Sequence, residues 1–192
     1  EALIDLLRHD LDAADYRAGA VRALLGAEAE AARLRGVLLP GKRALAQRGD
    51  EALATLAGLF LLGCEVSSDA LELALPRLGA EGARKLGLVS AGATGYVAAL
   101  SLNPVELPDP LGPGASGHAG ASLHWWIVSD LDDQLRVGPA RPDHVMGVGG
   151  ATRSLLAQLP LGPHVTLLGG SVLDLGLGWD LALRALDQIG RA

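Results

Sequence analysis

Apolar residues recur at helical spacing through the first third of the chain. The first set comprises Leu3, Leu6, Leu7 and Leu11. Residues spaced in this way lie on one face of an α-helix, so they predict an amphipathic helix. Two further helical segments end at Gly26 and Gly36, because glycine commonly follows the last helical residue. Residues 51–62 are apolar enough to predict the central helix, with Asp50 as its N-cap and Gly63 just past its end.

The segment after the central helix predicts two short helices and a hairpin. One helix begins at Ser68 and breaks near Pro76, a second follows at once, and a glycine-containing turn then separates two strands within residues 87–102. Helix, helix and hairpin in this order form the winged-helix arrangement, whose second helix enters the major groove in DNA-reading proteins. That helix offers only Arg84 and Lys85 here, so a structural or substrate-positioning role is favoured over DNA reading.

Two stretches are predicted to lack regular structure. Residues 39–42, LPGK, indicate a turn. Residues 103–120 are rich in proline and glycine, which indicates a linker or loop. This linker divides a helical, winged-helix-like N-terminal domain, residues 1–102, from a second domain, residues 121–192.

The second domain opens with an apolar strand at residues 123–131. Its adjacent tryptophans, Trp125 and Trp126, must point to opposite faces of the strand, so we expect one of them to pack in the core. A glycine-rich turn at residues 141–152 then leads into a helix, and the chain closes with a strand, a second glycine turn and a helix.

Composition narrows the class of protein. The formal net charge of −6 argues against a broad basic surface for nonspecific nucleic-acid binding. A single cysteine, Cys64, excludes an internal disulfide and a multi-cysteine zinc site, and the five histidines lack metal-ligand spacing. No apolar run reaches the length of a membrane span, and the first residues are acidic, unlike a signal peptide. We therefore expect a cytoplasmic protein that does not bind membranes or metals.

The closing strand ends in Asp174, and Gly176 and Gly178 follow at alternate positions before a helix. Glycines let the backbone approach a ligand without a Cβ clash, and the free N–H groups of the helix start favour anions. The dinucleotide fingerprint needs a third glycine where this chain has Leu181, and a P-loop needs a G-K-S/T sequence that is absent. The pattern leaves two alternatives, an S-adenosylmethionine (SAM) loop of the D-x-G-x-G type or a tight turn that binds nothing.

Three stretches carry a resemblance to a known family. They are Trp125–Leu131, Arg141–Thr152 and Val172–Gly178. In this order, after a winged-helix-like domain, they resemble bacterial, largely actinobacterial, class I SAM-dependent methyltransferases related to the glutamine N5-methyltransferases. The resemblance implies that residues 121–192 begin a Rossmann-like SAM-binding domain, which gives an α+β to α/β fold overall. It also implies SAM as cofactor and places these residues at it: Asp174, Gly176 and Gly178 in the loop, and Gly147, Gly149, Gly150 and Thr152 at the start of the helix beside the methionine end.

The chain departs from the family pattern after Gly176. Such enzymes carry a third glycine in the loop, whereas this chain has Trp179 and Asp180 in the following positions. The family's carboxylate for the ribose hydroxyls and its Asn/Asp-Pro-Pro-aromatic motif would stand beyond Ala192. We therefore expect a truncated methyltransferase, or one that lacks residues after Gly176 or Ala192.

No catalytic residue is assigned from the sequence. Residues 103–106 are a poor substitute for the family's substrate motif, since they lack its second proline and its aromatic residue. His144 is the histidine to test for catalysis, and an acidic turn holds Asp130, Asp132 and Asp133. The expected function is N- or O-methyl transfer to an acceptor that the sequence does not identify, and the oligomeric state is equally undetermined. The alternative is a non-catalytic winged-helix module that binds protein or, less favoured, nucleic acid.

Overall fold

The computed structural model describes residues 2–49, 51–107 and 123–147. Within these ranges the fold is mixed α+β, with seven helices and two small antiparallel sheets. The helices are α1 (Ala2–Ala13), α2 (Ala18–Leu25), α3 (Ala27–Leu34), α4 (Leu39–Leu45), α5 (Ala52–Leu62), α6 (Ser68–Ala74) and α7 (Gly79–Lys85). The strands are β1 (Val89–Ala91), β2 (Tyr96–Ala98), β3 (Ser101–Leu107) and β4 (Leu123–Ser129).

The chain divides into two compact units. The first comprises residues 1–106 and 124–144, and the second comprises residues 107–123 and 145–192. All seven described helices lie in the first unit. No helix in the described part of the chain is long and apolar enough to cross a membrane.

Helix α5 is the centre of the first unit, as its apolar sequence predicts. Every residue from Ala54 to Leu62 is buried, and Phe60 is fully inaccessible. Burying one side chain of this size stabilises the fold by about 1.5–3 kcal/mol. The helix ends at Gly63, whose φ of 62° confirms the predicted left-handed terminator. The predicted N-cap is wrong by one residue, because Glu51 occupies that position and its side chain makes no capping hydrogen bond.

The predicted turn at residues 39–42 is wrong, because these residues begin helix α4. Pro40 lies in the first turn, where a missing N–H leaves no helical hydrogen bond unmade. Gly41 faces the core, and a Cβ there would come within 3.1 Å of the Leu62 methyl groups. Both residues that suggested a turn are therefore compatible with a short helix packed closely on α5.

Helices α6 and α7 and the β1–β2 hairpin follow α5 in the predicted order. Ser67 Oγ accepts a hydrogen bond from the Ala70 amide at 3.2 Å, so a serine caps α6, which begins at Ser68 as predicted. Strands β1 and β2 pair antiparallel. Val66, between α5 and α6, forms an antiparallel bridge with Tyr96 and attaches the hairpin to the end of the central helix.

Regular structure continues five residues into the predicted linker. Strand β3 runs through Leu107 and pairs with β4, so the expectation of irregular structure from residue 103 is wrong up to residue 107. A proline such as Pro104 costs no ladder bond where its nitrogen faces the unpaired edge that each strand of a two-stranded sheet has. Residues 124–144, predicted to open the second domain, belong to the first unit. The rest of the linker, residues 108–120, lies outside the described residues.

Candidate functional site

Tyr16 connects the N-terminal helices to the β3–β4 sheet. Its side chain is fully buried, and its hydroxyl donates to the Leu102 carbonyl at 2.8 Å. Its own carbonyl accepts from Trp126 Nε1 at 2.6 Å. Burial raises the pKa of the Tyr16 hydroxyl far above its usual range, so the group is a neutral donor at any physiological pH. Trp126 packs against the core, which confirms that one of the paired tryptophans is a core residue.

Asp10 holds the two residues just before α7. Its side chain is 1% exposed, and its carboxylate accepts hydrogen bonds from the amides of Arg77 and Leu78, the latter at 2.9 Å. The first N–H groups of a helix lack partners within it and carry partial positive charge. A buried carboxylate is therefore compensated here and fixes α7 against α1.

A cluster of three polar side chains lies just past the end of β4. Asp130 Oδ1 is 3.6 Å from Arg141 Nη2, and Asp130 Oδ2 is 3.6 Å from His144 Nδ1. A turn places the two partners side by side, since the His144 amide donates to the Arg141 carbonyl at 3.1 Å. The side chains of Asp130 and His144 are only 20% and 16% exposed, whereas that of Arg141 is 71% exposed. These three side chains are referred to below as the Asp130 cluster.

The Asp130 cluster has the arrangement of an acid–base pair. A carboxylate facing Nδ1 favours the tautomer that carries its proton there, which leaves Nε2 as the basic atom. At 3.6 Å the two groups are beyond hydrogen-bond distance, and such contacts often tighten only when a substrate is bound. The sequence singled out His144 and Asp130 separately, but no local signal relates two residues separated by a strand end and a turn.

Glu65 organises the tip of the β1–β2 hairpin. Its Oε1 accepts from the Thr94 amide, from Thr94 Oγ1 at 3.2 Å and from the Gly95 amide at 2.8 Å. These hydrogen bonds, that from the Thr94 amide first, lower the pKa of the Glu65 carboxyl below its ordinary value of 4.5. Gly92 leaves room for the carboxylate, since a Cβ there would lie 2.5 Å from Oε1. The turn amides that could bind an anion are therefore already occupied.

The two exposed cations of α7 share one carboxylate within the helix. Arg84 Nε lies 3.0 Å from Glu81 Oε2, and Lys85 Nζ lies 3.8 Å from Glu81 Oε1. Exposed pairs of this kind contribute little to stability, but the carboxylate offsets part of the positive charge that would attract phosphate groups. Helix α7 thus presents no unpaired basic residue among those that the structure describes.

The residues predicted to bind the cofactor fall almost entirely outside the described part of the chain. Gly147 is the exception, and it is half-buried with no regular secondary structure. The others lie beyond residue 147, namely Gly149, Gly150, Thr152, Asp174, Gly176 and Gly178, as do Trp179 and Asp180.

The remaining predicted candidates are placed as follows. Asn103 and Pro104 lie within β3, in paired strand. Cys64 is half-buried, and burial raises the pKa of its thiol, as expected for a structural cysteine. Within the ranges that the structure covers, no group of three or more His, Cys, Asp or Glu side chains could hold a metal ion. Sequence reasoning missed Asp10, Tyr16 and Glu65, because each has partners far along the chain.

Comparison with known proteins gives one match. Residues 13–99, a little under half of the chain, match the family model described as "Domain of unknown function (DUF7059)". The match spans α2 to the end of the β1–β2 hairpin. No curated protein and no solved structure matches the chain.

Proposed function

We propose that the chain is part of a class I SAM-dependent methyltransferase that transfers a methyl group to a nitrogen or oxygen atom. The observation that carries the proposal is the sequence of the stretch Val172–Gly178, whose apolar residues predict a strand ending in Asp174 and are followed by the D-x-G-x-G glycines. The two accompanying stretches, Trp125–Leu131 and Arg141–Thr152, precede it in the order found in the resembling enzymes. In this proposal the residues from 145 onward contribute to a Rossmann-like domain of a cytoplasmic enzyme, and residues 124–144, which belong to the first unit, precede it.

The N-terminal helices would serve this enzyme as a winged-helix-like module. The order α5, Val66 bridge, α6, α7 and hairpin supports the proposal, because the bridge gives the hairpin a third, one-residue strand. The Glu81 ion pairs on α7 favour a role in positioning a partner or acceptor over reading DNA. A non-catalytic module is the second candidate, favoured by the buried core that residues 2–107 form around α5.

When bound, SAM would supply an electrophilic methyl group. The chain's own task is to hold the acceptor in line at close range, which accounts for a large part of the barrier reduction in such reactions. A neutral nitrogen or oxygen acceptor would attack the methyl carbon with its lone pair, the methyl–sulfur bond would break to leave S-adenosylhomocysteine, and a base would take the proton that the methylated acceptor must lose. His144 Nε2, with Asp130 facing Nδ1, is the group of the Asp130 cluster suited to that step.

The test is a calorimetric titration of this chain with S-adenosylhomocysteine, which binds as a product and does not react. We expect micromolar binding that weakens about a hundredfold or more in Gly178→Val, because a branched side chain would occupy the ligand's place. Asp174→Ala should weaken it as well. Asp69→Ala, an exposed change in α6, is the matched control and should leave the affinity unchanged.

Absence of binding would contradict the proposal. A folded chain that gives no heat with S-adenosylhomocysteine would assign the glycine stretch to a structural turn and favour the non-catalytic module. Circular dichroism of each variant separates loss of binding from loss of folding.

A further inference from the structure

Basic residues are concentrated in one short segment of this acidic chain. Residues 31–49 contain five arginines and lysines and no acidic residue, although the whole chain has a net charge of −6. Arg33 is paired with Glu30 at 2.8 Å. The other four cations, Arg35, Lys42, Arg43 and Arg48, are exposed. None of these four forms an ion pair with a described residue.

Exposed aliphatic side chains lie among these cations. Leu34, Val37 and Leu39 are 59%, 50% and 55% exposed, although each is large enough to contribute to a core. Scattered single apolar residues on a surface need no explanation, whereas these three lie within six positions of one another. Together with Arg35, Lys42 and Arg43 they are referred to here as the α3–α4 face.

Helical geometry places part of this face on one side of α4. Leu39, Lys42 and Arg43 are related as i, i+3 and i+4, so they lie on the same side of the helix. The opposite side carries Gly41 and Leu45, which are buried. Leu39, Lys42 and Arg43 are therefore presented to solvent together.

The contrast with α7 shows where a partner can bind. Arg84 and Lys85 share the carboxylate of Glu81, whereas Lys42 and Arg43 have no carboxylate partner in the described residues. A negatively charged partner therefore meets less competition from the chain's own described carboxylates at the α3–α4 face than at α7.

We propose that the α3–α4 face binds an acidic protein segment that also carries apolar side chains. Unpaired cations select a negatively charged partner, and they steer its approach. Exposed leucine and valine gain nothing from phosphates or sugars but are buried favourably against a protein. Helix α4 is a seven-residue helix, shorter than the amphipathic helices that lie in membrane surfaces. This proposal does not depend on methyl transfer.

The test uses a fluorescein-labelled synthetic helix with leucines on one face and glutamates on the other. Fluorescence anisotropy with the full chain should show saturable binding. Lys42→Glu combined with Arg43→Glu should weaken it about tenfold or more, since two attractive contacts become repulsive. Leu34→Ser combined with Leu39→Ser should weaken it by about fivefold or more, through lost apolar burial.

The matched control reverses the charges of the two α7 cations that are paired with Glu81. Arg84→Glu combined with Lys85→Glu should change the affinity less than about twofold, because the affected helix is not the binding face. All these side chains are exposed, so unchanged thermal midpoints are expected and show that each variant is folded.

Two comparison probes decide the class of partner. A single-stranded oligoribonucleotide and phosphatidylserine-containing vesicles are titrated under the same conditions. Tighter binding of either probe than of the peptide, unaffected by the serine substitutions, would overturn the proposal in favour of a polyanion or lipid surface. Failure of the peptide to bind, or an equal loss in the α7 variant, would overturn it as well.

Discussion

Replacing Asp10 with alanine should destabilise the first unit strongly. The carboxylate is 1% exposed and accepts hydrogen bonds from two amides at the start of α7, those of Arg77 and Leu78. A buried donor left without an acceptor costs about 1–3 kcal/mol. With two donors affected and part of the cost recovered by water entering the space, we expect a loss of about 2–4 kcal/mol in the free energy of unfolding.

Urea unfolding followed by far-UV circular dichroism measures this loss. Asp5→Ala is the matched control, because Asp5 is an exposed residue of the same helix, and it should change the free energy of unfolding by less than about 0.5 kcal/mol. Asp10→Asn keeps one acceptor oxygen without the charge and should lie between the two, at about 1–2 kcal/mol.

The reasoning about Asp10 would be refuted by a small effect. A loss below about 1 kcal/mol in Asp10→Ala would mean that the α7 amides find other acceptors at little cost. Equal losses in the alanine and asparagine variants would also refute it, because they would show that the acceptor oxygen kept in asparagine contributes nothing.

Three further predictions concern the contacts that hold the sheets in place. Tyr16→Phe removes the donor to the Leu102 carbonyl and should cost about 1–2 kcal/mol in urea unfolding. Gly95→Ala should cost about 2–3 kcal/mol, because its Cβ would overlap the Val66 carbonyl at the bridge. Glu65→Gln should lower the thermal midpoint at neutral pH, and the difference from the wild type should vanish in acid. Since the folded pKa of Glu65 is lowered, its stabilisation is complete above the ordinary pKa of 4.5 and is lost as the pH falls below it.

Each of these predictions has its own control. Tyr96→Phe tests the general effect of removing a tyrosine hydroxyl. Gly87→Ala tests the effect of a positive φ alone, since Gly87 has a φ of 72° and open space around it. An alanine at Gly95 no more harmful than one at Gly87 would contradict the overlap argument. A midpoint difference for Glu65→Gln that persisted at low pH would contradict the role of its ionised carboxylate.

The sequence predicts individual residues of the Asp130 cluster, but not the contact between them. Asp130 stands at the end of a predicted strand, and His144 lies beside the glycine-rich stretch. The sequence therefore indicates each of them separately as a candidate residue. Their approach to 3.6 Å depends on the Arg141–His144 turn folding back on the end of β4. Such a contact is a property of tertiary structure, because residue spacing alone does not specify the direction of a loop.

The sequence by itself determined most of the helices and their ends. Apolar periodicity located α1, and a nearly continuous apolar run located α5. Gly63 ended α5 as predicted, because local sterics decide that feature. Local signals failed where packing outweighed them. Pro40 and Gly41 indicated a turn, yet burial of Leu45 makes them part of α4.

Tertiary structure alone decided which groups, distant along the chain, form hydrogen bonds with one another. Asp10 is an unremarkable polar position in an amphipathic helix until α7 folds over it. Tyr16 and Trp126 acquire their partners only when β3 and β4 pack on the helices. Buried polar groups must find partners wherever the fold supplies them, and those partners lie tens of residues away, beyond the reach of any local pattern.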